Sequence, residues 1–143
     1  MIVQAQKQDI PAVATLAAQL FGSSAEKLAA EFDTLIPSEK CAVFLLTIAD
    51  RPAGFAQCQL RRDYVEGTHS SPAGYLEGIF VLPEHRSQGH AKELLSRCEQ
   101  WAREHGCTEF ASDCELDNDG SLAFHLKMGF AEANRIICFT KKL

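Results

Sequence analysis

Residues 84–92, EHRSQGHAK, combine backbone and side-chain features that bind phosphate groups. They separate an apolar run, YLEGIFVLP, from a helical pattern, ELLSRCEQWAREHG. The first backbone N–H groups of a helix have no partner inside it and carry the positive end of its dipole, so they attract anions. Gly89 and Ala91 leave room for a ligand to approach, and Arg86 offers a forked donor. The stretch predicts a pyrophosphate cradle; an ordinary loop leading into a helix is the alternative interpretation.

Two carboxylates accompany this cradle. Glu77 interrupts the apolar run before it, and strand alternation predicts that it shares a face with Ile79 and Val81. A buried carboxylate is costly without a partner, so Glu77 is either half of a structural ion pair or a base that takes a proton from an ammonium group. Its position beside the cradle favours the base. Asp113 ends the next predicted strand, at the sheet edge where ligands bind, although a turn or cap role is the alternative.

The elements that must position these groups predict one α/β (α+β) domain covering residues 1–143. Apolar periodicity and turn residues give the order β-α-α-β-β-β-α-β-α-β. Strands are expected at 1–6, 41–49, 54–62, 75–82 and 107–113, and as one or two pieces within 130–143. Helices are expected after Asp9, after a Ser23–Glu26 capping box and before Pro37, from near Gln88 to His105, and from Ser121 to Met128. The unit at 75–113 implies two parallel neighbours in a mixed sheet with helices on both faces.

The composition narrows the possible partners. The formal net charge of -5 and the pI of about 5.5 argue against non-specific nucleic-acid binding and suit a cationic substrate. The six cysteines form no C-x-x-C pair, so we expect no metal and interpret them as small buried residues of a protein in the reducing cytoplasm. No apolar stretch approaches membrane-spanning length, so we expect no membrane partner.

Two motifs resemble those of the GNAT acyltransferases. VLPEHRSQGHA is similar to the cofactor signature of that superfamily, an apolar strand followed by [RQ]-x-x-G-x-[AG] at the start of a helix. NDGSLAFHLKMGF is similar to its second motif, an Asn and then a helix ending in Gly-Phe. The resemblance implies the GNAT fold, with acetyl-CoA as co-substrate. The cofactor contacts that it implies are the backbone of Ile79, Phe80 and Val81, the signature residues Arg86, Ser87, Gln88, Gly89, His90 and Ala91, and Asn118.

A narrower resemblance covers the chain from about residue 60 to its end. The segments RRDYVEGTHSSPAGYLEGIFVLPEHR, GCTEFASD and GFAEANRIICFTKKL are similar to the aminoglycoside 6'-N-acetyltransferases. This implies acetylation of the 6'-amino group of an aminoglycoside, and hence antibiotic resistance. Among the residues that this family uses to bind its substrate, Phe21 stands where members often carry Trp. For Tyr64 the alternative to a substrate contact is a hydrophobic plug over the core. For Glu132 the alternative is an exposed strand residue. The substrate contacts implied are Phe21, Tyr64, Glu77, Asp113 and Glu132.

His125 departs from the superfamily pattern, which often has Tyr at this place as the acid that protonates the leaving thiolate. Histidine exchanges protons near neutral pH and could do the same, although a packing or capping role is the alternative. The resemblance also implies a homodimer. Two rival functions stay open: an acetyltransferase for another amine, such as a polyamine or a protein N-terminus, and a non-catalytic acetyl-CoA-binding sensor.

Overall fold

The computed structural model describes all of residues 1–143 and contains one mixed sheet of five strands with four α-helices. The strands are β1 (Ile2–Gln4), β2 (Cys41–Ile48), β3 (Arg51–Arg61), β4 (Ala73–Val81) and β5 (Phe110–Ala111). The helices are α1 (Ile10–Phe21), α2 (Ala25–Leu35), α3 (His90–Glu104) and α4 (Asp119–Lys127). Neighbouring strands are antiparallel in the order β1-β2-β3-β4, and β4 pairs in parallel with β5. The predicted parallel pair at 75–113 is therefore confirmed.

Helices cover both faces of the sheet, as the sequence predicts. Alternate residues of a strand point to opposite faces, so β2 is buried on both sides. Val43 and Leu45 face one core cluster, and Phe44 and Leu46 face the other. The first cluster receives Val13, Leu16 and Ala17 of α1 and Leu28 and Phe32 of α2. The second receives Leu94, Leu95, Cys98, Trp101 and Ala102 of α3.

Several boundaries differ from the predicted ones by a few residues. Helix α2 is capped by Ser24 rather than Ser23, because the Ser24 hydroxyl accepts a hydrogen bond from the backbone N–H of Lys27 at 3.2 Å. Adjacent serines give the same sequence signal, and only the extended backbone of Ser24 decides between them. Helix α3 begins at His90 instead of near Gln88. Strand β5 is two residues long, much shorter than the predicted 107–113.

The predicted terminal strand is wrong for this chain. Residues 131–143 form no helix or strand and are exposed throughout. Ile136, Ile137 and Phe139 are 67%, 80% and 89% exposed. Their composition suits a strand, but a strand needs a neighbouring backbone to pair with, and this segment lies against no sheet edge of its own chain.

The cysteines divide into two groups. Cys41, Cys58, Cys98 and Cys107 are buried and free, as predicted. Cys114 and Cys138 are free and exposed, so the prediction of burial is wrong for these two, which belong to a loop and to the unpacked C-terminal segment. No group of three His, Cys, Asp or Glu side chains is placed to hold a metal ion. None of the helices has the length and apolarity that crossing a membrane requires.

Candidate active site

Strand β4 is paired fully on one side and only briefly on the other. It runs beside β3 from Ala73 to Val81, but it contacts β5 only through Gly74 and Tyr75. Beyond Tyr75 the parallel strands separate, and the backbone of residues 76–81 has no strand partner on that side. Such an open edge can bond an extended ligand as an added strand would. The predicted cofactor contacts Ile79, Phe80 and Val81 all belong to this edge.

A β-bulge in β4 determines where Glu77 points. Gln57 pairs with Gly78 and Cys58 pairs with Leu76, which leaves Glu77 as the extra residue. Leu76 packs on the α3 side of the sheet together with Ile79 and Val81, whereas Glu77 lines a cavity on the α1–α2 side. The prediction that Glu77 shares a face with Ile79 and Val81 is therefore wrong, because the inserted residue shifts the alternation by one position.

The cavity beside Glu77 has a volume of about 240 Å³. It brings together two of the predicted substrate contacts, Glu77 and Phe21. Gly78 makes this arrangement possible, since a Cβ atom there would stand 2.7 Å from Cζ of Phe21. The Phe21 ring also packs edge-on against Phe55, with centroids 6.3 Å apart. The lining residues are Phe21, Ser23, Leu28, Glu31, Phe32, Leu35, Gln57 and Glu77.

Arg61 and Tyr75 connect Glu77 to Asp113. The Arg61 guanidinium donates to the Glu77 carboxylate at 2.9 Å and stacks 3.5 Å from the centroid of the Tyr75 ring. The Tyr75 hydroxyl donates to Asp113 at 2.5 Å. Neither linking residue is among the candidates predicted from the sequence. Tyr75 could have been found, because it lies two residues before Glu77 and therefore on the same strand face.

Three of the predicted substrate residues do not line the cavity: Asp113, which connects to it only through Tyr75 and Arg61, and Tyr64 and Glu132. Tyr64 is 77% exposed, and its hydroxyl donates to Glu66 at 3.3 Å, so it does not plug the core. Glu132 belongs to the C-terminal segment and is paired with Arg135, three residues further on. That ion pair lowers the pKa of the Glu132 carboxyl and keeps it charged.

The predicted cradle has the geometry of an anion site. Ser87 and Gly89 have positive φ angles of 61° and 87°, which turn the chain into α3. Gly89 is the N-cap, so no side chain covers the first N–H groups of the helix, and a Cβ there would meet nothing within 4 Å. Nδ1 of His90 is buried without a hydrogen-bond partner. The Arg86 Nε–H donates to the Val81 carbonyl at 2.8 Å, which leaves its outer nitrogens for a ligand. These residues fit the pyrophosphate of acetyl-CoA.

Asn118 and His125 lie at the two ends of α4. Asn118 is its N-cap, and Oδ1 accepts from the backbone N–H of Ser121 at 3.1 Å, so its amide nitrogen remains available to a ligand. His125 is hydrogen-bonded through both ring nitrogens. Nδ1 lies 2.7 Å from the Ser121 carbonyl oxygen, and Nε2 lies 2.8 Å from the Ser112 hydroxyl. No local sequence signal indicates Ser112, which meets His125 only through tertiary packing.

Comparison with known proteins matches residues 11–130 to the acetyltransferase (GNAT) family. Aminoglycoside N(6')-acetyltransferase type 1 from Acinetobacter haemolyticus is 46% identical over 107 residues, 74% of each chain. The protein of the same name from Stenotrophomonas maltophilia is 38% identical over 143 residues, 99% of this chain and 93% of its own. The solved structure of AAC(6')-Iy with the bisubstrate analog CoA-S-monomethyl-acetylneamine matches with a TM-score of 0.95 at 35% identity, covering 100% of this chain and 98% of that one. The predicted GNAT fold is therefore confirmed, apart from the predicted terminal strand.

The link between Tyr75 and Asp113 predicts an unusual tyrosine titration. Burial raises the pKa of Tyr75, and donation of its hydroxyl to the Asp113 carboxylate raises it further. Replacing Asp113 by Asn should lower the pKa of Tyr75 toward its ordinary value without reaching it, because burial remains. The measurement is ultraviolet difference absorbance against pH in a Tyr64→Phe background, where Tyr75 is the one remaining tyrosine. An unchanged titration in Asp113→Asn would contradict the observed contact.

Proposed function

Because this chain belongs to the GNAT acetyltransferase family, we propose that it transfers the acetyl group of acetyl-CoA to the 6'-amino group of aminoglycoside antibiotics and so confers resistance. The observation that carries the proposal is a carboxylate, Glu77, at a cavity next to a free strand edge and a phosphate cradle. Relatives named aminoglycoside N(6')-acetyltransferase, 38% to 46% identical, support the substrate class. The acidic net charge of -5 suits a polycation.

Glu77 binds the substrate ammonium and takes a proton from it, directly or through water. Its side chain is 24% exposed, so the carboxylate is half-buried yet reachable from the cavity. Arg61 donates to the Glu77 carboxylate at 2.9 Å and orients it, and we propose that the substrate ammonium takes the place of this guanidinium. Asp113 adds a second carboxylate on the other side of Tyr75, held by the tyrosine hydroxyl. Phe21 forms a wall of the cavity, and we assign Tyr64 and Glu132, which lie outside it, to the parts of the substrate that extend beyond the cavity.

The cofactor side of the site is built from backbone. The pyrophosphate binds to the loop before α3 and to the first turn of that helix. The residues concerned are Arg86, Ser87, Gln88, Gly89, His90 and Ala91. When bound, acetyl-CoA supplies a thioester whose carbonyl the amine attacks. The free edge of β4 at Ile79, Phe80 and Val81 bonds the extended arm, and a backbone N–H there stabilises the carbonyl oxygen as it gains negative charge. Asn118 donates its amide hydrogens to the same arm, and His125 provides a proton for the departing sulfur.

We also propose a homodimer, in which the C-terminal segment, residues 131–143, pairs with a second copy. Its apolar residues Ile136, Ile137 and Phe139 fall on both faces of an extended chain and are all more than half exposed. A segment of this pattern suits a strand buried on both faces.

We also propose a cytoplasmic location, since the neighbouring buried thiols of Cys58 and Cys98 are both free and suit a reducing compartment.

The first experiment mixes purified protein and acetyl-CoA with a panel of amines and follows release of free thiol. The panel contains kanamycin-like drugs with a 6'-amine, a matched drug with a 6'-hydroxyl, spermidine and short peptides. We expect rapid release with the 6'-amine drugs and none with the 6'-hydroxyl drug, since the site deprotonates an ammonium group. Release of thiol with only spermidine or peptides would show that the substrate is another amine. Tight acetyl-CoA binding without any release would indicate a sensor.

Replacing Glu77 by Gln should lower kcat by about 100-fold or more and raise KM for the drug, because the amide can neither accept the proton nor pair with the ammonium. The affinity for acetyl-CoA should not change. The matched control is Glu99→Gln, which removes another ion-paired carboxylate, 3.7 Å from Arg103 on α3 and outside the site. Steady-state kinetics measures both variants, and wild-type kcat in Glu77→Gln would remove Glu77 from the mechanism.

The homodimer is tested with Phe139→Asp, which places a charge where an 89% exposed aromatic ring stands. In a monomer this change is harmless, whereas at a subunit interface it should separate the copies. Light scattering coupled to size-exclusion chromatography should give two chains for the wild type and one for the variant. The control, Thr15→Asp, adds the same charge at an exposed residue of α1, outside the segment. A single chain for the wild type would refute the dimer.

A further inference from the structure

His125 is held in one orientation by groups on every side. The carbonyl oxygen of Ser121, 2.7 Å from Nδ1, can only accept a hydrogen bond, so Nδ1 carries the hydrogen. The rings of Phe124 and Phe130 pack across the imidazole, with centroids 5.6 Å and 5.1 Å from it. A half-turn of the ring about the Cβ–Cγ bond would break both the contact of Nδ1 with the Ser121 carbonyl and that of Nε2 with the Ser112 hydroxyl. The side chain therefore exchanges protons only through Nε2.

The partner of Nε2 is the Ser112 hydroxyl, at 2.8 Å. With hydrogen on Nδ1, the neutral ring accepts the Ser112 O–H at Nε2. When the ring takes up a proton, Nε2 becomes a donor, and the serine hydrogen is free to turn toward another acceptor. His125 thus exchanges protons with the site through the Ser112 hydroxyl.

Ser112 stands where the two parallel strands separate. It follows the last residue of β5, and its hydroxyl lies 3.4 Å from the carbonyl oxygen of Leu76, the first residue of β4 beyond the paired section. Leu76 directly precedes Glu77. The hydroxyl therefore faces the crevice between the free edge of β4 and the end of β5.

We propose that Ser112 donates the proton that the departing sulfur takes up, and that His125 acts through Ser112 without touching the sulfur. The inference rests on the proposed acetyl transfer. As the carbon–sulfur bond breaks, sulfur keeps its electron pair, and the lone pair of the carbonyl oxygen restores the C=O bond. The Ser112 O–H proton passes to sulfur, and the Nε2–H proton of the charged His125 ring passes to the Ser112 oxygen. His125 ends neutral and recovers a proton from water, while the two protons that the amine loses go to solvent.

The kinetic test compares Ser112→Ala, His125→Gln and the double variant. Each single variant should lower kcat by about 10- to 100-fold with KM for acetyl-CoA unchanged, since a thiolate is a fair leaving group without help. The double variant should be no slower than either single one, because both residues serve one proton path. Ser112→Thr, which keeps the hydroxyl, should restore kcat. Thr108→Val removes a hydroxyl four residues earlier and should leave kcat unchanged. Additive losses, or no recovery with threonine, would overturn the relay.

A binding test needs no turnover. If the Ser112 hydroxyl contacts sulfur, the wild type should bind coenzyme A about five-fold more tightly than desulfo-coenzyme A, the worth of one hydrogen bond. Ser112→Ala should lose that preference, and Thr108→Val should keep it. Equal preferences in wild type and Ser112→Ala, measured by titration calorimetry, would refute the contact.

Nitrogen NMR of the free protein checks the resting state. We expect a protonated Nδ1 in His125, and an Nε2 resonance that shifts in Ser112→Ala while Nδ1 stays protonated. A protonated Nε2 in the neutral ring would overturn the assigned direction of transfer. The outcomes also separate the two proposals. A wild type that acetylates an aminoglycoside but has the same sulfur preference as Ser112→Ala rejects the relay alone, whereas a wild type without turnover on any aminoglycoside rejects the proposed function.

Discussion

The two-residue contact between β4 and β5 is the constraint on which the site depends. The strands meet at Gly74, where a Cβ would stand 2.5 Å from the ring of Phe110 and 2.8 Å from Cβ of Ala102, so only glycine allows β5 to approach beneath α3. The contact consists of two pairs, Gly74 with Phe110 and Tyr75 with Ala111, and β5 ends at Ala111. From that point one side of β4 is free. The open edge gives backbone groups to an extended ligand, and it places Ser112 and Asp113 across the gap from Leu76 and Glu77.

Features encoded by contiguous residues could be predicted, and features that depend on pairing could not. The sequence predicts the fold, the cradle at 86–91 and the positions of most helices, because caps, glycines and apolar periodicity are local signals. It fails at Glu77, whose direction follows from a bulge, a property of two paired strands. A hint was nevertheless present: Gly78 interrupts the strand, and glycine inside a strand often marks a bulge or a close approach. Gly78 has both features: it adjoins the bulge at Glu77, and Cζ of Phe21 lies only 2.7 Å from where its Cβ atom would stand.

The C-terminal segment illustrates the same limit at a larger scale. Its composition predicts a strand, and alternation alone would bury one face. Ile137 and Phe139 fall on one face, and Ile136 on the other, so an isolated chain has no way to cover both. The composition of a segment indicates that it can form a strand, but it does not indicate which backbone the strand pairs with. The segment does touch its own chain near its start, where the Asn134 amide donates to Glu66 at 3.0 Å, and this contact ties the segment to the loop that carries Tyr64.

The charges of the site are joined through one aromatic ring. Glu77 is paired with Arg61, which also stacks on Tyr75, and Tyr75 holds Asp113. A half-buried carboxylate without a partner is costly. Arg61 supplies that partner, at 2.9 Å from the Glu77 carboxylate, and its contact with the Tyr75 ring holds the guanidinium in place. The aromatic ring thus connects the two carboxylates, since its face carries the cation that pairs with Glu77 and its hydroxyl binds Asp113.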